Sequence, residues 1–337
     1  MKKLLFNLQL FANANTNTTT ADGLSNEMKT YYSDYLIDNA IPKLVHDQFG
    51  QKHPIPKNGG KTIEFRKYSP LPKLTNAITE GVTPDGQSLN MSVITATVAQ
   101  YGGYITLSDV LLLTAIDNNL VQATKLLGAQ AGATLDTITR EVLNGGTNVI
   151  FSGGANARAD LVGGAASGNS YLTVDDIKKA VRLLKTQNAE QINGAWVGII
   201  HPDVAYDLTN DPAWKDVKTY SDPSDIYEGE IGKIYGVRFV ETTEAKIWAN
   251  AAKDNTTANK RAVYSTLILG DNAYGTTEVS GGGLQHIVKQ VGSAGTGDPL
   301  DQRATAGWKA TKVAERLVEN YMVRIESTST FNPSVNN

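Results

Sequence analysis

An apolar pattern over residues 108–144 constrains the fold more than any other feature of this sequence. Ser108 is a suitable N-cap, and Asn144 precedes two glycines, which commonly end helices. The spacing predicts one continuous helix, called the spine stretch, about 54 Å long at 1.5 Å per residue. We expect one face of it to pack against the rest of the chain. The predicted apolar face consists of Leu112, Ala115, Ile116, Ala123, Leu127, Ala131, Leu135, Ile138 and Val142.

Two glycines, Gly128 and Gly132, lie within the spine stretch. Each costs about 1 kcal/mol relative to alanine in a helix, but small residues also allow another backbone to approach closely. We predict that any bend in the helix lies at these glycines. Asp117 and Lys125 interrupt the apolar run well before about 20 residues, which excludes a membrane-spanning helix.

The composition is that of a globular chain with little net charge. Its 337 residues are 41% hydrophobic, which suffices for one large core or two smaller ones. Cysteine is absent, so disulfides, thiol catalysis and cysteine-ligated metals are excluded. The formal net charge of −3 lacks the excess of lysine and arginine that binds nucleic acid strongly.

The beginning of the chain is predicted to be an extended arm. Residues 1–14 imitate a secretion signal, but polar residues interrupt its apolar part. Residues 11–22 offer almost nothing to bury, and residues 1–24 are predicted to be mobile. A helix is predicted to follow, with Tyr31 and Tyr35 on its apolar face, where packing is favoured over base stacking because no basic cluster is interleaved.

Two predicted strands with a long connection come next. Residues 61–68 place Ile63 and Phe65 on one face, and residues 93–98 alternate apolar side chains with threonines. About two dozen residues separate them, too many for an ordinary hairpin turn. A two-stranded arm is marginally stable alone in water, so we predict that it docks on its own domain or on another subunit.

The remaining sequence alternates helices and strands. Thr173 and Asp176 have the spacing of a helix cap, whereas residues 250–259 are predicted to be a polar surface loop. The apolar face of the capped helix is predicted to be Ile177, Val181 and Leu184. A compact strand–helix–strand unit is predicted over residues 195–202, 203–211 and 230–242, with further strands at 148–151, 262–269, 286–291, 307–313 and 321–327.

No catalytic arrangement is recognisable in the sequence. The four histidines, His46, His53, His201 and His286, are scattered and lack metal-ligand spacing. His201 ends a predicted strand, and we interpret it as structural rather than as a general base, because no partner lies nearby in the sequence. We therefore predict no enzyme activity and no catalytic, cofactor-binding or metal site.

Several stretches, taken in order, are similar to one protein family. They are FNLQLFA near the start, ITEGVTPDGQSLNMSVITATVAQYGGYITLSD at residues 78–109, LGDNAYG, and DPLDQRATAGWKATKVAERLVENYMVRIES at residues 298–327. Over nearly its whole length the chain resembles the major capsid proteins of tailed bacteriophages with the Hong Kong 97-type fold, specifically the group typified by coliphage N-four.

This resemblance implies an α+β, Hong Kong 97-like capsid fold. An N-terminal arm is followed by an extended β-hairpin loop, a peripheral domain built on the long spine helix, an axial domain, and a return to the peripheral domain. The implied boundaries are 1–60, 61–107, 108–172, 173–285 and 286–337.

The resemblance also implies a function and partners. Hexamers and pentamers of the chain would form the icosahedral shell of the virion, assembled in the host cytoplasm and enclosing double-stranded DNA. The implied partners are further copies of the chain, a separate scaffolding protein, a portal and a decoration protein, with weak, non-specific DNA contacts and no membrane. No residue set for covalent crosslinks is identified. Candidate inter-subunit contact residues are Tyr31, Tyr35, Pro70, Leu71, Ile78, Glu80, Asp85 and Leu89.

Two other function classes stay open. Another phage structural protein or a surface-array protein fits the composition, although the long helix argues against a mainly β tail tube. A hydrolase is also compatible with the composition but lacks an identifiable acid–base pair. Export as a surface array requires cleavage near Ala14, so an intact mass that retains Met1 would argue against it.

Overall fold

The computed structural model describes residues 44–54, 61–68, 71–83, 85–114, 119–164, 167–214, 232–257, 259–277, 284–293, 298–333 and 337. The chain divides into two compact units. The described residues of the first unit fall within 102–130 and 285–309, and those of the second within 42–101, 131–284 and 310–337.

The described part of the chain contains helices and strands in mixed order. The helices are α1 (Asp109–Thr114), α2 (Asn119–Asn144), α3 (Val174–Thr186) and α4 (Pro202–Asn210). The strands are β1 (Gln51–His53), β2 (Thr62–Tyr68), β3 (Met91–Thr97), β4 (Ala99–Ser108), β5 (Val149–Phe151), β6 (Val162–Gly163), β7 (Trp196–Ile200), β8 (Lys233–Ile234), β9 (Val237–Glu241), β10 (Ile247–Asp254), β11 (Lys260–Leu269), β12 (Tyr274–Thr277), β13 (Leu284–Lys289), β14 (Arg303–Lys312), β15 (Ala314–Arg316) and β16 (Met322–Ser327).

An eight-stranded mixed sheet organises the second unit. Its main path runs β5-β16-β11-β7-β9-β8, with β10 paired to β11 and β6. Strand β16 is antiparallel to β11 and parallel to β5, so it joins strands that lie far apart in the sequence. The predicted strands at residues 148–151, 262–269 and 321–327 are confirmed as three neighbours in this sheet.

The sheet is covered by apolar side chains on both faces. Successive side chains of a strand point in opposite directions, so a central strand contributes to both apolar clusters. In β11, Tyr264 and Ile268 join one apolar cluster, to which α3 and α4 contribute, while Leu267 and Leu269 join the other. That second cluster includes Leu143 from the end of α2. The sheet is therefore the middle layer between helices, which explains its near-continuous apolar strands.

Local helix signals in the sequence are confirmed by the structure. Thr173 caps α3, because its hydroxyl accepts the Asp176 backbone N–H while the Asp176 carboxylate accepts the Thr173 backbone N–H. The predicted apolar face of α3, namely Ile177, Val181 and Leu184, is buried. Ser108 accepts the Leu111 backbone N–H at 3.2 Å, as expected for the predicted cap, and α2 ends at Asn144.

The spine stretch differs in detail from its prediction. Ser108 is the last residue of β4, so the first helix begins at Asp109. Leu112, expected on the packed face, is 37% exposed, whereas Ala123, Leu127, Ala131 and Leu135 are buried as predicted. Continuity between α1 and α2 depends on residues 115–118, which lie outside the described residues.

The predicted polar loop at residues 250–259 is wrong for its first half, because β10 extends to Asp254. The register between β10 and β11 shifts between Trp248 and Ala252, which is a bulge. Small and polar residues at this bulge hide the period of two on which strand prediction depends.

Candidate assembly surfaces

The tip of the predicted hairpin is the most exposed segment of the described chain. Strands β2 and β3 pair antiparallel in a register that places Phe65 opposite Ile94, which confirms the two predicted strands. Every described residue from 71 to 90 is exposed, including Leu74 at 82% and Ile78 at 74%. Large apolar side chains exposed together in this way are typical of interaction surfaces.

The sequence-predicted contact residues that are described all lie on this tip. Leu71, Ile78, Glu80, Asp85 and Leu89 are exposed there. Their role in subunit contacts stays a prediction. Tyr31, Tyr35 and Pro70 lie outside the described residues.

The two candidate bend glycines lie within α2, which is assigned as helix throughout. Gly128 and Gly132 are both buried, and the close backbone approach predicted at these positions stays a prediction. A bend at these positions stays a prediction.

A second apolar surface, on α1, was not identified from the sequence. Val110, Leu111, Leu112 and Leu113 are consecutive and all exposed, with Leu113 at 86%. Four consecutive apolar residues cover every side of a short helix, so a single core cannot bury them all. The run of four apolar residues could have indicated this surface, but Leu112 was interpreted as part of the apolar face of the spine stretch.

The base of the hairpin is fixed to the body of the second unit by close packing. Ile63, Phe65 and Ala96 form a buried cluster. A Cβ atom on Gly275 in β12 would lie only 2.3 Å from Cε1 of Phe65. Glycine is thus required at this position because the aromatic ring occupies the space of a side chain.

We expect Gly275→Ala to destabilise the subunit by about 1–3 kcal/mol through overpacking against Phe65. Thermal unfolding of the unassembled chain measures this effect. Gly86→Ala is the matched control, because no atom lies within 4 Å of a Cβ at that position. Equal melting temperatures for the two variants would refute the packing role of Gly275.

A buried polar cluster anchors the first described residues of the chain. The His46 backbone N–H donates to Asp136 Oδ1 at 2.7 Å, and His46 Nδ1 lies 2.6 Å from Asp136 Oδ2. The Tyr274 hydroxyl donates to the His46 carbonyl oxygen. Burial raises the pKa of Tyr274 well above its ordinary value, so its hydroxyl stays protonated.

Asp47 holds the second half of this cluster. Its carboxylate pairs with Lys312 and accepts hydrogen bonds from Thr276 Oγ1 at 2.6 Å and from Thr139 Oγ1 at 3.3 Å. Asp47 and Lys312 are both buried. Burial lowers the pKa of Lys312, and the neighbouring Asp47 carboxylate opposes that shift. Residues 46 and 47 are therefore tied to α2, β12 and β14.

His201 caps a helix, in agreement with its structural interpretation. The reason given for that interpretation is wrong, because Asp203 lies two residues away in the sequence, with its Oδ2 3.5 Å from His201 Nδ1. Its Nδ1 accepts the Asp203 backbone N–H at 3.1 Å and caps α4. Its ring centroid lies 5.1 Å from that of Tyr264, whose hydroxyl donates to Asp203 Oδ2 at 2.6 Å. Burial lowers the pKa of His201, although Asp203 opposes the shift. The neutral imidazole suits an acceptor role.

This lowered pKa predicts a pH dependence of stability. The unfolded chain protonates His201 near its ordinary pKa of 6.5, before the folded chain does, so stability present above that pH falls as the pH drops toward the lower folded value. His201→Asn retains a capping acceptor without a titrating ring. Urea midpoints at pH 7.5, 6.0 and 5.0 should decline less steeply in the variant; parallel declines would contradict the prediction.

Two other kinds of site are absent from the described residues. No group of three or more His, Cys, Asp or Glu side chains is placed to hold a metal ion in those ranges. None of the helices described there combines the length and apolar character needed to cross a membrane.

Comparison with known proteins gives the class of this architecture. The chain matches the capsid of Ralstonia phage GP4 with 13% identity and a TM-score of 0.61, over 82% of this chain and 86% of that one. The capsid of cyanophage P-SCSP1u matches with 13% identity and a TM-score of 0.61, over 84% and 87%. The mature capsid of bacteriophage PhiM1 matches with 12% identity and a TM-score of 0.57, over 83% and 86%. The fold is therefore the Hong Kong 97-like fold of phage head shells.

The family follows from the sequence itself. The family model described as phage capsid protein matches residues 112–291, more than half of the chain. The chain belongs to this phage capsid family and is a major capsid protein that forms the head shell. No curated protein sequence matches it. The narrower resemblance to the coliphage N-four group stays a prediction.

Proposed function

We propose that this chain assembles with copies of itself into hexamers and pentamers, which close into an icosahedral shell around packaged double-stranded DNA. The observation that carries this proposal is the hairpin tip, residues 71–90, whose apolar side chains are exposed in the isolated chain. A contact between this tip and a different surface of the next copy is heterologous. Heterologous contacts close into a ring when the rotation between neighbouring copies divides a full turn evenly.

The parts of the subunit take distinct roles in this proposal. Residues 1–60 form the arm, 61–107 the extended loop, 108–172 the peripheral domain, 173–285 the axial domain and 286–337 the return. The exposed loop tip supports contacts between neighbouring copies. Many modest contacts then add through multivalency instead of one strong interface.

The proposal includes partners other than the chain itself. A separate scaffolding protein sets the size of the shell, a portal occupies one vertex, and a decoration protein binds outside, all assembling in the host cytoplasm. Formation of uniform, correctly sized shells by this chain expressed alone would count against a separate scaffold.

Negative-stain microscopy of the chain expressed with its genetic neighbours tests the proposal. Closed shells, or rings of five and six subunits, are expected. Persistent monomers under every expression and salt condition would overturn it.

A further inference from the structure

A positively charged stripe runs along the solvent face of α3. Lys178, Arg182 and Lys185 follow one another at spacings of four and three residues, and all three are exposed. At 1.5 Å per residue they span about 10 Å. The opposite face of the same helix, described above, is buried against the sheet. The three side chains therefore point the same way from a rigid support.

No carboxylate of the described residues forms an ion pair with these three side chains, although Asp175 attracts Lys178 at longer range. Lys178 Nζ lies 4.8 Å from the ring centroid of Tyr235, and Lys185 Nζ lies 5.7 Å from that of Trp196. Aromatic rings hold cations in place without cancelling their charge. The acidic residue on this face, Asp175, is already paired with Lys179 at 2.9 Å.

A fourth cation lies near the stripe. Lys233 is exposed, and its Nζ donates to the carbonyl oxygen of Gly194 at 2.9 Å, two residues before Trp196. The stripe and Lys233 together place about four positive charges on a chain whose formal net charge is −3. This asymmetry points to a polyanionic partner.

We propose that the stripe of Lys178, Arg182 and Lys185, together with Lys233, is the surface that contacts the phosphate backbone of packaged double-stranded DNA, so that α3 faces the interior of the shell. The assignment rests on the proposed function, which supplies the enclosed duplex. Duplex DNA carries about six charges over 10 Å of its axis, so the stripe neutralises only part of them. Lysine and arginine on a flat helix face bind phosphates without reading bases, so the contact is independent of DNA sequence.

The expected binding is weak for each subunit and depends strongly on salt. With three to four phosphate contacts, the affinity falls about 40- to 150-fold between 50 and 200 mM salt. Copies repeated over a shell wall act together on one DNA molecule, while each contact still exchanges easily. DNA is thereby retained against the wall without being immobilised.

Fluorescence anisotropy of a labelled 20-base-pair duplex, titrated with the full-length unassembled chain between 25 and 200 mM salt, tests the assignment. The plot of log affinity against log salt should have a slope of about −2.7 to −3.6. In the variant K178Q/R182Q/K185Q the slope should shrink to about −1, with at least tenfold weaker binding at 50 mM salt. The control K52Q/K253Q/K260Q removes three exposed charges elsewhere on the second unit and should stay within twofold of the parent chain.

Three results would overturn the assignment: an unchanged slope in the stripe variant, an equal loss in the control, or no binding by the parent chain at 50 mM salt. Circular dichroism and melting temperature verify that each variant is folded. Microscopy separates this test from the proposed function, because the stripe variant should still form shells. If the stripe variant forms shells and binds DNA like the parent chain, only the assignment of the stripe is overturned. If the parent chain forms no shells, the proposed function is overturned.

Discussion

Replacing Leu74, Ile78 and Val82 with serine should abolish shell formation and leave the subunit folded. These side chains are 82%, 74% and 62% exposed, so folding gains little from them. Burying each one against a neighbour contributes about 1.5–3 kcal/mol, and losing all three should raise the concentration needed for assembly by about 1,000-fold or more. Sedimentation velocity and negative-stain microscopy measure the assembly, and thermal unfolding measures the fold.

The matched control alters the same tip at its polar positions. Thr75→Ala, Thr79→Ala and Thr83→Ala together make the same number of changes on the same exposed segment and should preserve assembly. Normal shells from the serine variant, or equal failure of both variants, would show that apolar burial at the tip does not drive assembly.

Lys312→Met should destabilise the subunit by about 3–5 kcal/mol. The substitution leaves the Asp47 carboxylate buried with two hydroxyl donors but no cation, and an unpaired buried charge is costly. Urea denaturation measures the loss. The serine tip variant is the suitable background, because assembly would otherwise stabilise the folded state by mass action.

A double-mutant cycle separates the ion pair from general packing. Asp47→Asn alone should also be destabilising, since it leaves the Lys312 cation buried. The double variant D47N/K312M removes both charges and should lose less than the sum of the single losses by at least about 1 kcal/mol. Additive effects would mean that the pair makes no specific contribution.

Features encoded by neighbouring residues were predictable from the sequence. The Thr173 cap and the buried strand at Trp196–Ile200 each depend on a few adjacent positions, and both are confirmed. The two hairpin strands followed from a period of two and are confirmed with their pairing. The long connection between them was predicted from its turn-forming residues, whereas its exposure was not, because docking on its own domain was left open.

Features that depend on distant residues were not predictable in this way. Asp47 meets Lys312, which is 265 positions later, and His46 meets Asp136, which is 90 positions later. No local pattern signals such a pair, because each partner on its own resembles an ordinary surface charge. The exposed apolar residues of α1 were missed for a related reason, since periodicity identifies an apolar helix but does not show what covers it.

The position of β16 has a consequence for synthesis. Within the described eight-stranded sheet it lies between β5 and β11, yet it is translated after every other strand of that sheet. Its partner β5 precedes it by about 170 residues. The two strands can pair only after the chain has closed a loop of that length, which slows folding. A nascent or prematurely terminated chain lacking Met322–Ser327 therefore leaves β5 without its partner in this sheet and one edge of β11 open. We expect such fragments to be degraded before they enter a growing shell, so that complete translation acts as a checkpoint for assembly.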